Sequence, residues 1–160
     1  MTALIDTCVF FALYSLRDVH HWDAIALIVH GVEGRWGRIY ITNHILDETL
    51  TILKYRISEE TAKAFIEAFV RKGVIGLIHV DEDMETMALE FFEKNIGKKG
   101  FSYTDATTVI VIDSLNIDYL LTFDLRSFGG LVRSIVGPGY WNTLTPEEKD
   151  RIREILSNTT

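Results

Sequence analysis

Residues 102–124, SYTDATTVIVIDSLNIDYLLTFD, join an apolar helix directly to an apolar strand. Ser102 is a favourable helix N-cap residue, and the segment after it is apolar on most sides, which predicts a buried helix. Residues 119–123 then form a short apolar run that stops at Asp124, as buried parallel strands commonly do. A helix and a strand of this kind are typical of an α/β domain.

The same alternation of short strands and helices extends over most of the chain. Further strands are predicted at residues 3–5, 38–42, 74–80 and 131–136. Further helices are predicted at residues 20–34, from Asn43 as N-cap to residue 55, from Ser58 as N-cap to Gly73, and at residues 81–95. Strands that alternate with helices predict a parallel sheet with helices on both faces.

The pattern changes after Gly137-Pro138-Gly139. Thr145 is followed by Pro146 and two glutamates, which is a strong helix start because proline fits the first helical position and acids favour the positive end of the helix dipole. We therefore predict a main domain over residues 1–137. Residues 138–160 are expected to form a linker and a C-terminal helix that packs on the domain or on a partner.

The composition indicates one soluble globular domain, since the 160 residues are 48% apolar and 24% charged. Cys8 is the only cysteine, so no intrachain disulfide can form, and a reducing, cytoplasmic location is expected. We expect no secretory signal and no membrane span, because no apolar run approaches the roughly 18 residues that a span needs. The net charge of -7 argues against a protein that coats nucleic acid by general electrostatics.

Four acidic residues from distant parts of the sequence are predicted to meet at one edge of the sheet. Asp6 and Asp124 each follow a predicted strand directly, and the carboxyl ends of parallel strands share one edge. Asp105 lies in the first turn of the predicted apolar helix, and such helix starts often face the same edge. Glu48 shares a helix face with isoleucines three and four positions away, so we expect it to point inward.

Carboxylates that lie this close together repel one another unless a cation holds them. Two such charges about 4 Å apart repel by roughly 4 kcal/mol at an effective dielectric near 20. Hard oxygen ligands at an open edge suit Mg²⁺ or Mn²⁺, which bind one or two carboxylates and keep several waters. Such ions can activate a water and stabilise the leaving oxygen when a phosphodiester bond is cleaved.

Each acid also has a purely structural interpretation. Asp6 could cap the turn after its strand, and Asp124 could be a turn former before Phe128-Gly129-Gly130. Asp105 could be an acid that interacts with a helix dipole. Asp47 could take the inner position instead of Glu48, because sequence-based register is uncertain by a residue or two. Any one of these interpretations is plausible alone, and all of them together are much less so.

Four motifs around these acids resemble those of the PIN-domain family of nucleases, and the likeness covers residues 3–136. The motifs are Leu4-Ile5-Asp6-Thr7, Ile45-Leu46-Asp47-Glu48-Thr49-Leu50, Phe101-Ser102-Tyr103-Thr104-Asp105-Ala106, and Leu121-Thr122-Phe123-Asp124 with Phe128 downstream. The second motif favours Glu48 over Asp47 as the metal-binding acid. Their order and spacing together are more specific than any single motif.

The resemblance implies an α/β/α sandwich around a small, mostly parallel sheet. It also implies a Mg²⁺- or Mn²⁺-dependent ribonuclease in which Asp6, Glu48, Asp105 and Asp124 are the catalytic metal ligands. Many small members of the family are toxins of the VapC type that pair with a short antitoxin protein and often form homodimers, so RNA, an antitoxin and a second copy are the expected partners. A housekeeping RNA-processing nuclease and a catalytically inactive PIN-like interaction module stay open as alternatives.

Within the resemblance, Thr7 and Thr122 are candidates to hold a metal-bound water or a phosphate oxygen, and Arg126 is a candidate to contact the RNA. Arg126 stands where many members have a further acid, which leaves one ion and two ions both open. Cys8 stands where serine or asparagine is common, which predicts an altered hydrogen bond without the loss of a ligand.

Other residues with possible functions have equally good structural explanations. Lys98 and Lys99 could contact the RNA backbone or form a solvated loop. Tyr103 could stack on a base, although packing beside a buried helix is commoner. The pair His20-His21 lacks a third ligand at zinc spacing. Trp22 and Trp36 are expected to be core or partner contacts.

Two other enzyme classes with acidic pockets fit the sequence less well. A phosphatase of the haloacid dehalogenase class needs a second aspartate two positions after the first, and Cys8 stands there after Asp6. A receiver domain needs adjacent acids near the start and a lysine late in the chain, and no such pair of acids is present near the start.

Overall fold

A computed structural model describes residues 1–159, with a five-stranded sheet at the centre. The strands are β1 (Thr2–Ile5), β2 (Arg38–Thr42), β3 (Gly76–Ile78), β4 (Tyr119–Leu121) and β5 (Ile135–Val136). They lie in the order β3-β2-β1-β4-β5, and each pair of neighbours is parallel.

Helices cover both faces of this sheet, so the predicted α/β/α sandwich is confirmed. They are α1 (Thr7–Tyr14), α2 (His21–Val32), α3 (Asn43–Arg56), α4 (Glu59–Phe65), α5 (Glu82–Lys94), α6 (Tyr103–Leu115), α7 (Leu125–Phe128) and α8 (Pro146–Asn158). A π-helical segment, Ile66–Arg71, continues α4, and a 3-10 helix, Tyr140–Thr143, precedes α8. None of the helices within residues 1–159 is long and apolar enough to cross a bilayer.

The register of the strands brings the carboxyl ends of several strands to the same edge of the sheet. Leu4 of β1 pairs with Tyr40 of β2 on one side and with Leu120 of β4 on the other. Because these strands are parallel and in step, the residues that follow them emerge at the same edge of the sheet. Asp6 and Thr122 are therefore neighbours. The prediction that Asp124 follows its strand directly was wrong, because β4 ends at Leu121 and residues 122 and 123 intervene.

The central strands and α6 form the core that holds this edge in place. Ala3, Leu4 and Ile5 of β1 and Leu120 and Leu121 of β4 are all fully buried, at 0% exposure. Such complete burial explains the continuous apolar runs in the sequence, since a parallel sheet is covered on both faces. The buried residues of α6 include Ala106, Thr107, Thr108, Val109, Val111 and Ile112, which confirms the prediction of a buried helix.

The helix α1 was not predicted, and one predicted cap was wrong. Residues 7–14 are largely apolar and aromatic and lack helical periodicity, so no helix was assigned to them. The N-cap of α3 is Thr42 and not Asn43: the Thr42 hydroxyl accepts the N–H of Ile45 at 3.1 Å. The Asn43 side chain instead accepts the N–H of Val80 at 2.8 Å, which attaches the start of α3 to the segment after β3.

The two edge strands are shorter than predicted. β3 has only residues 76–78 of the predicted 74–80, and β5 has only residues 135–136 of the predicted 131–136. Each lies at an edge of the sheet and pairs with a single neighbour. The central strand β4 is also shorter than predicted, with residues 119–121 of the predicted 119–123. Gly73, predicted to follow the end of a helix, has a positive φ of 65° just beyond the π-helical segment.

The C-terminal helix packs on the main domain in this chain. Ile152 of α8 is fully buried against Ile25 and Ala26 of α2. The connection before α8 is held by the buried carboxylate of Asp23, which accepts the N–H of Gly139 at 3.1 Å and a second backbone N–H, from residue 141, at 2.7 Å.

Candidate active site

Asp6 and Thr122 join the ends of two neighbouring strands. Asp6 follows β1 and Thr122 follows β4, and the Thr122 hydroxyl donates to Asp6 Oδ2 at 2.7 Å. The backbone N–H of Asp6 also donates to the carbonyl of Leu121 at 3.0 Å. Asp6 is buried and Thr122 has no exposed surface, so this hydrogen bond lies inside the protein. The first acid of the site is therefore held from both strands.

Glu48 is connected to Asp6 through Thr7. The Thr7 hydroxyl donates to Glu48 Oε2 at 2.7 Å, and the Thr7 N–H donates to Asp6 Oδ1 at 2.8 Å. The expectation that Glu48 points into the core needs correction, because the fully buried face of α3 carries Ile45 and Thr49 while Glu48 is half-buried beside it. Asp47 is exposed, so Glu48 is the acid of α3 that reaches this edge.

Asp124 is connected to the same group through Thr122. Its N–H donates to the Thr122 hydroxyl at 3.0 Å, so that one hydroxyl contacts both Asp6 and Asp124. Asp124 Oδ1 accepts the N–H of Ser127 at 2.9 Å and caps α7. Its second oxygen accepts no hydrogen bond from residues 1–159 and remains available to a ligand.

Asp105 reaches the site from the start of α6. It forms a capping box with Ser102, in which the Ser102 N–H donates to Asp105 Oδ2 at 2.8 Å and the Asp105 N–H donates to the Ser102 hydroxyl at 3.0 Å. The structural role considered for Asp105, an acid in the first turn of a helix, is thus present. Asp6 and Asp124 are the N-cap residues of α1 and α7. Capping orients each carboxylate and uses only part of its capacity to accept hydrogen bonds.

The electrostatics indicate that the acids influence one another. Burial raises the pKa of Asp6, and the charge of Glu48 raises it further, while hydrogen bonds from Thr122, Cys8 and Thr7 lower it. Burial is also the main reason that the pKa of Asp105 is raised to about 6, and the charges of Asp6 and Asp124 add to this shift. These pairwise interactions favour a cation or a proton near Asp6 and Asp105.

The oxygen ligands at this edge suit a hard cation that keeps part of its water shell better than a cation that is fully enclosed by protein ligands. Among residues 1–159, no group of three or more His, Cys, Asp or Glu side chains is placed so that it could hold a metal ion directly. Mg²⁺ keeps several waters and uses only one or two carboxylates, so an open set of carboxylates and threonine hydroxyls is compatible with it. The donors are thus of the chemical kind that Mg²⁺ or Mn²⁺ prefers, while the four acids do not by themselves form a complete set of ligands in this structure.

Cys8 takes part in the hydrogen bonding around Asp6. Its Sγ donates to Asp6 Oδ2 at 3.2 Å and accepts the N–H of Phe123 at 3.3 Å. Burial raises the pKa of the Cys8 thiol well above its ordinary value, and the nearby charge of Asp6 adds to this. The protonated thiol is therefore a donor to Asp6, in the place where the sequence predicted an altered hydrogen bond.

The candidate RNA contacts differ in how available they are. Arg126 is exposed on α7, and Lys99 is exposed in the loop before α6. The ammonium of Lys98 instead donates to the Ser127 carbonyl at 2.7 Å and lies 5.3 Å from the ring centre of Phe101, so it has a structural role.

The histidine and tryptophan residues are mostly explained by packing. His20 Nδ1 pairs with Asp23 at 3.1 Å, and its ring stacks on Phe123 at 4.4 Å. Trp36 is buried in the core, as predicted. Trp22 is 41% exposed and lies 4.8 Å from the ring of Trp141.

One polar group beside the site was not predicted from the sequence. His44 and Tyr103, at the starts of α3 and α6, both hydrogen bond to Glu85 of α5. Burial and the contact with Glu85 raise the pKa of Tyr103 to about 12, so Tyr103 stays protonated as the donor. The only sequence signal was the position of His44 and Tyr103 at helix starts, and it did not identify Glu85 as their partner.

Comparisons with known proteins identify related sequences and structures. The PIN domain family matches residues 3–129. A VapC ribonuclease of Archaeoglobus fulgidus is 47% identical over 156 residues, which cover 98% of this chain and 96% of the relative. The 23S rRNA-specific endonuclease VapC20 of Mycobacterium tuberculosis is 28% identical over 124 residues, which cover 75% of this chain and 87% of the relative.

Solved structures share the fold. The crystal structure of Mycobacterium tuberculosis VapC20, a sarcin-ricin loop-cleaving toxin, matches with a TM-score of 0.68 and 27% identity, over 85% of this chain and 99% of that one. A toxin-antitoxin complex from Klebsiella pneumoniae matches with a TM-score of 0.58 and 18% identity, over 85% of this chain and 97% of that one. The second likeness is evidence for the fold alone.

The raised pKa of Asp105 predicts how the metal-free protein responds to pH. The pKa of Asp105 is about 6 in the folded protein and about 3.9 in the unfolded chain, so ionisation of Asp105 opposes folding. The free energy of unfolding therefore falls as pH rises from about 4 through 6. Asp105→Asn removes this charge and retains an acceptor for Ser102. In EDTA, the melting temperature of Asp105→Asn minus that of wild type should be a few degrees higher at about pH 6 than at about pH 4.

Asp113→Asn is the matched control, because Asp113 is exposed on the same helix. Its melting temperature relative to wild type should not change over this pH range. The same pH dependence in wild type and Asp105→Asn would contradict the account of Asp105.

Proposed function

The chain belongs to the PIN-domain family, and we propose that it is a ribonuclease that uses Mg²⁺ or Mn²⁺ held by Asp6, Glu48, Asp105 and Asp124. The observation that carries the proposal is the continuous hydrogen-bonded connection from Glu48 through Thr7 to Asp6 and onward to Asp124. Asp105 is electrostatically coupled to that group. The arrangement concentrates negative charge where strand ends meet, which is the position expected for a ligand in an α/β sheet.

The chain's own residues orient the oxygens of this site. The hydroxyl of Thr122 holds Asp6 Oδ2, and the hydroxyl of Thr7 holds Glu48 Oε2. Backbone N–H groups at the helix starts hold one oxygen each of Asp105 and Asp124. A divalent ion bound here would neutralise the carboxylates, polarise the phosphate and make a water nucleophilic.

RNA is the proposed substrate, and a toxin is the proposed biological role. The Archaeoglobus fulgidus relative is named a ribonuclease, and VapC20 is named an rRNA endonuclease and a toxin. An antitoxin protein is the proposed partner, because the VapC20 structure is described as that of a toxin. The homodimer and the cytoplasmic location stay predictions from the sequence.

Loss of a single carboxylate should abolish cleavage. In a reaction with a labelled single-stranded RNA and Mn²⁺, Asp105→Asn should cut no faster than a sample without protein, because it removes one charge that holds the ion. EDTA should stop the wild type, and added Mg²⁺ or Mn²⁺ should restore it.

Asp113→Asn, exposed on the same helix, should cut at the wild-type rate. Wild-type activity in EDTA, or an Asp105→Asn variant as active as the wild type, would remove the metal and Asp105 from the mechanism. A wild type that binds Mn²⁺ and cuts no RNA would favour the inactive interaction module.

Expression in a bacterial host tests the proposed toxin role. Wild-type protein should slow growth, and Asp124→Asn should relieve this effect because it removes one of the four carboxylates. Growth curves at matched protein levels provide the measurement, with Asp113→Asn as a variant that should remain toxic. Normal growth with active wild-type protein would instead favour a housekeeping nuclease.

A further inference from the structure

A groove extends from the candidate active site along the outer surface of α3. It has a volume of about 470 Å³, and its lining includes Glu48 of the site and Thr104, the residue before Asp105. About two helical turns further along α3, which is about 10 Å, the same groove is lined by Tyr55 and Arg56. We call it the α3 groove. Because the groove is continuous with Glu48, an RNA strand bound at the site can extend into the groove.

Tyr55 provides an exposed aromatic surface in this groove. Its side chain is 76% exposed, so the ring contributes little to the core. Packing therefore does not explain an aromatic residue at this position. The ammonium of Lys54 lies 5.1 Å from the centre of the ring, which adds positive charge beside it. An exposed ring next to a cation is the combination that binds single-stranded nucleic acid, because a base stacks on the ring while the cation attracts phosphate.

Arg56 provides a second cation that is not used elsewhere in the described chain. It is exposed, and it forms no ion pair with any carboxylate among residues 1–159, although Asp47 and Glu48 line the same groove. Lys54 and Arg56 lie in the last turn of α3 and interact favourably with the helix dipole there. That interaction leaves the outer surface of the guanidinium open to a phosphate.

The charge of the whole protein makes such local contacts necessary. With a net charge of -7, this chain repels a polyanion over most of its surface. Binding of RNA therefore has to come from a few places where positive charge or a stacking surface is present. The α3 groove offers the ring of Tyr55 and the cation of Arg56 at one end, and the acids Asp47 and Glu48 line its other end, beside the site.

We propose that the α3 groove binds the single-stranded RNA beside the cleaved bond, with a base stacked on Tyr55 and a backbone phosphate paired with Arg56. This inference rests on the proposed ribonuclease function and adds the position of the neighbouring nucleotides. Because every base can stack on a tyrosine ring, the contact holds the strand without selecting a particular base.

Steady-state cleavage of a labelled single-stranded RNA in Mn²⁺ tests this proposal. Tyr55→Ala should raise KM about 5- to 100-fold with little change in kcat, since loss of one stacked base weakens binding by that order. Tyr55→Phe should remain near wild type because the ring is kept. Arg56→Gln should reduce the slope of log KM against log salt concentration by about 0.7, the effect of one phosphate contact on a single strand.

Arg38→Gln is the matched control, because Arg38 is an exposed arginine at the start of β2, at the opposite edge of the sheet from the site. It should change neither KM nor the salt slope. Unchanged KM in both Tyr55→Ala and Arg56→Gln, with an active wild type, would overturn this proposal and leave the ribonuclease function standing. A wild type that cuts no RNA would overturn both.

A protein occupant would give a different result. If Tyr55→Ala lost binding to a co-expressed antitoxin while its KM for RNA stayed at the wild-type value, the groove would be a protein-docking surface and the proposal would be overturned.

Discussion

Repulsion between buried carboxylates is the constraint on which the candidate site depends. Asp6 and Asp105 are both buried, and each has a pKa raised first by burial and then by neighbouring acids. Hydroxyl and backbone N–H donors offset part of the free-energy cost of burying the Asp6 charge, since Thr122 and Thr7 both donate to it. The remaining cost favours either a proton or a neutralising cation at this edge, and the proposed chemistry requires the cation.

The fold sustains this repulsion because the acids are attached to rigid elements. β1 and β4 pair in register, so Asp6 and Thr122 cannot separate without breaking the centre of the sheet. Asp105 and Asp124 are fixed by the helix N-termini that they cap, where the helix dipole favours negative charge. Capping and metal binding are therefore compatible uses of the same side chains. The structural interpretation of these acids does not compete with the functional one.

Patterns local in the sequence were predictable, and contacts between remote side chains were not. Apolar runs ending in Asp6 and Asp124 predicted two strand ends at one edge, and Ser102 predicted the start of α6. The apolar, aromatic residues of α1 carry no helical periodicity, so that helix was missed. The link from Thr7 to Glu48 depends on how α3 packs against α1, which no sequence spacing reveals. For the same reason Glu85 could not be identified as the partner of residues on α3 and α6.

Anomalous diffraction from crystals grown with Mn²⁺ tests the central claim most directly. The account predicts a manganese peak at the carboxyl edge of the sheet, within about 2.5 Å of an oxygen of Asp6 and of at least one other acid of the four, with waters completing the coordination. Manganese bound only elsewhere, or acid oxygens too far apart to share an ion even in saturating Mn²⁺, would contradict it.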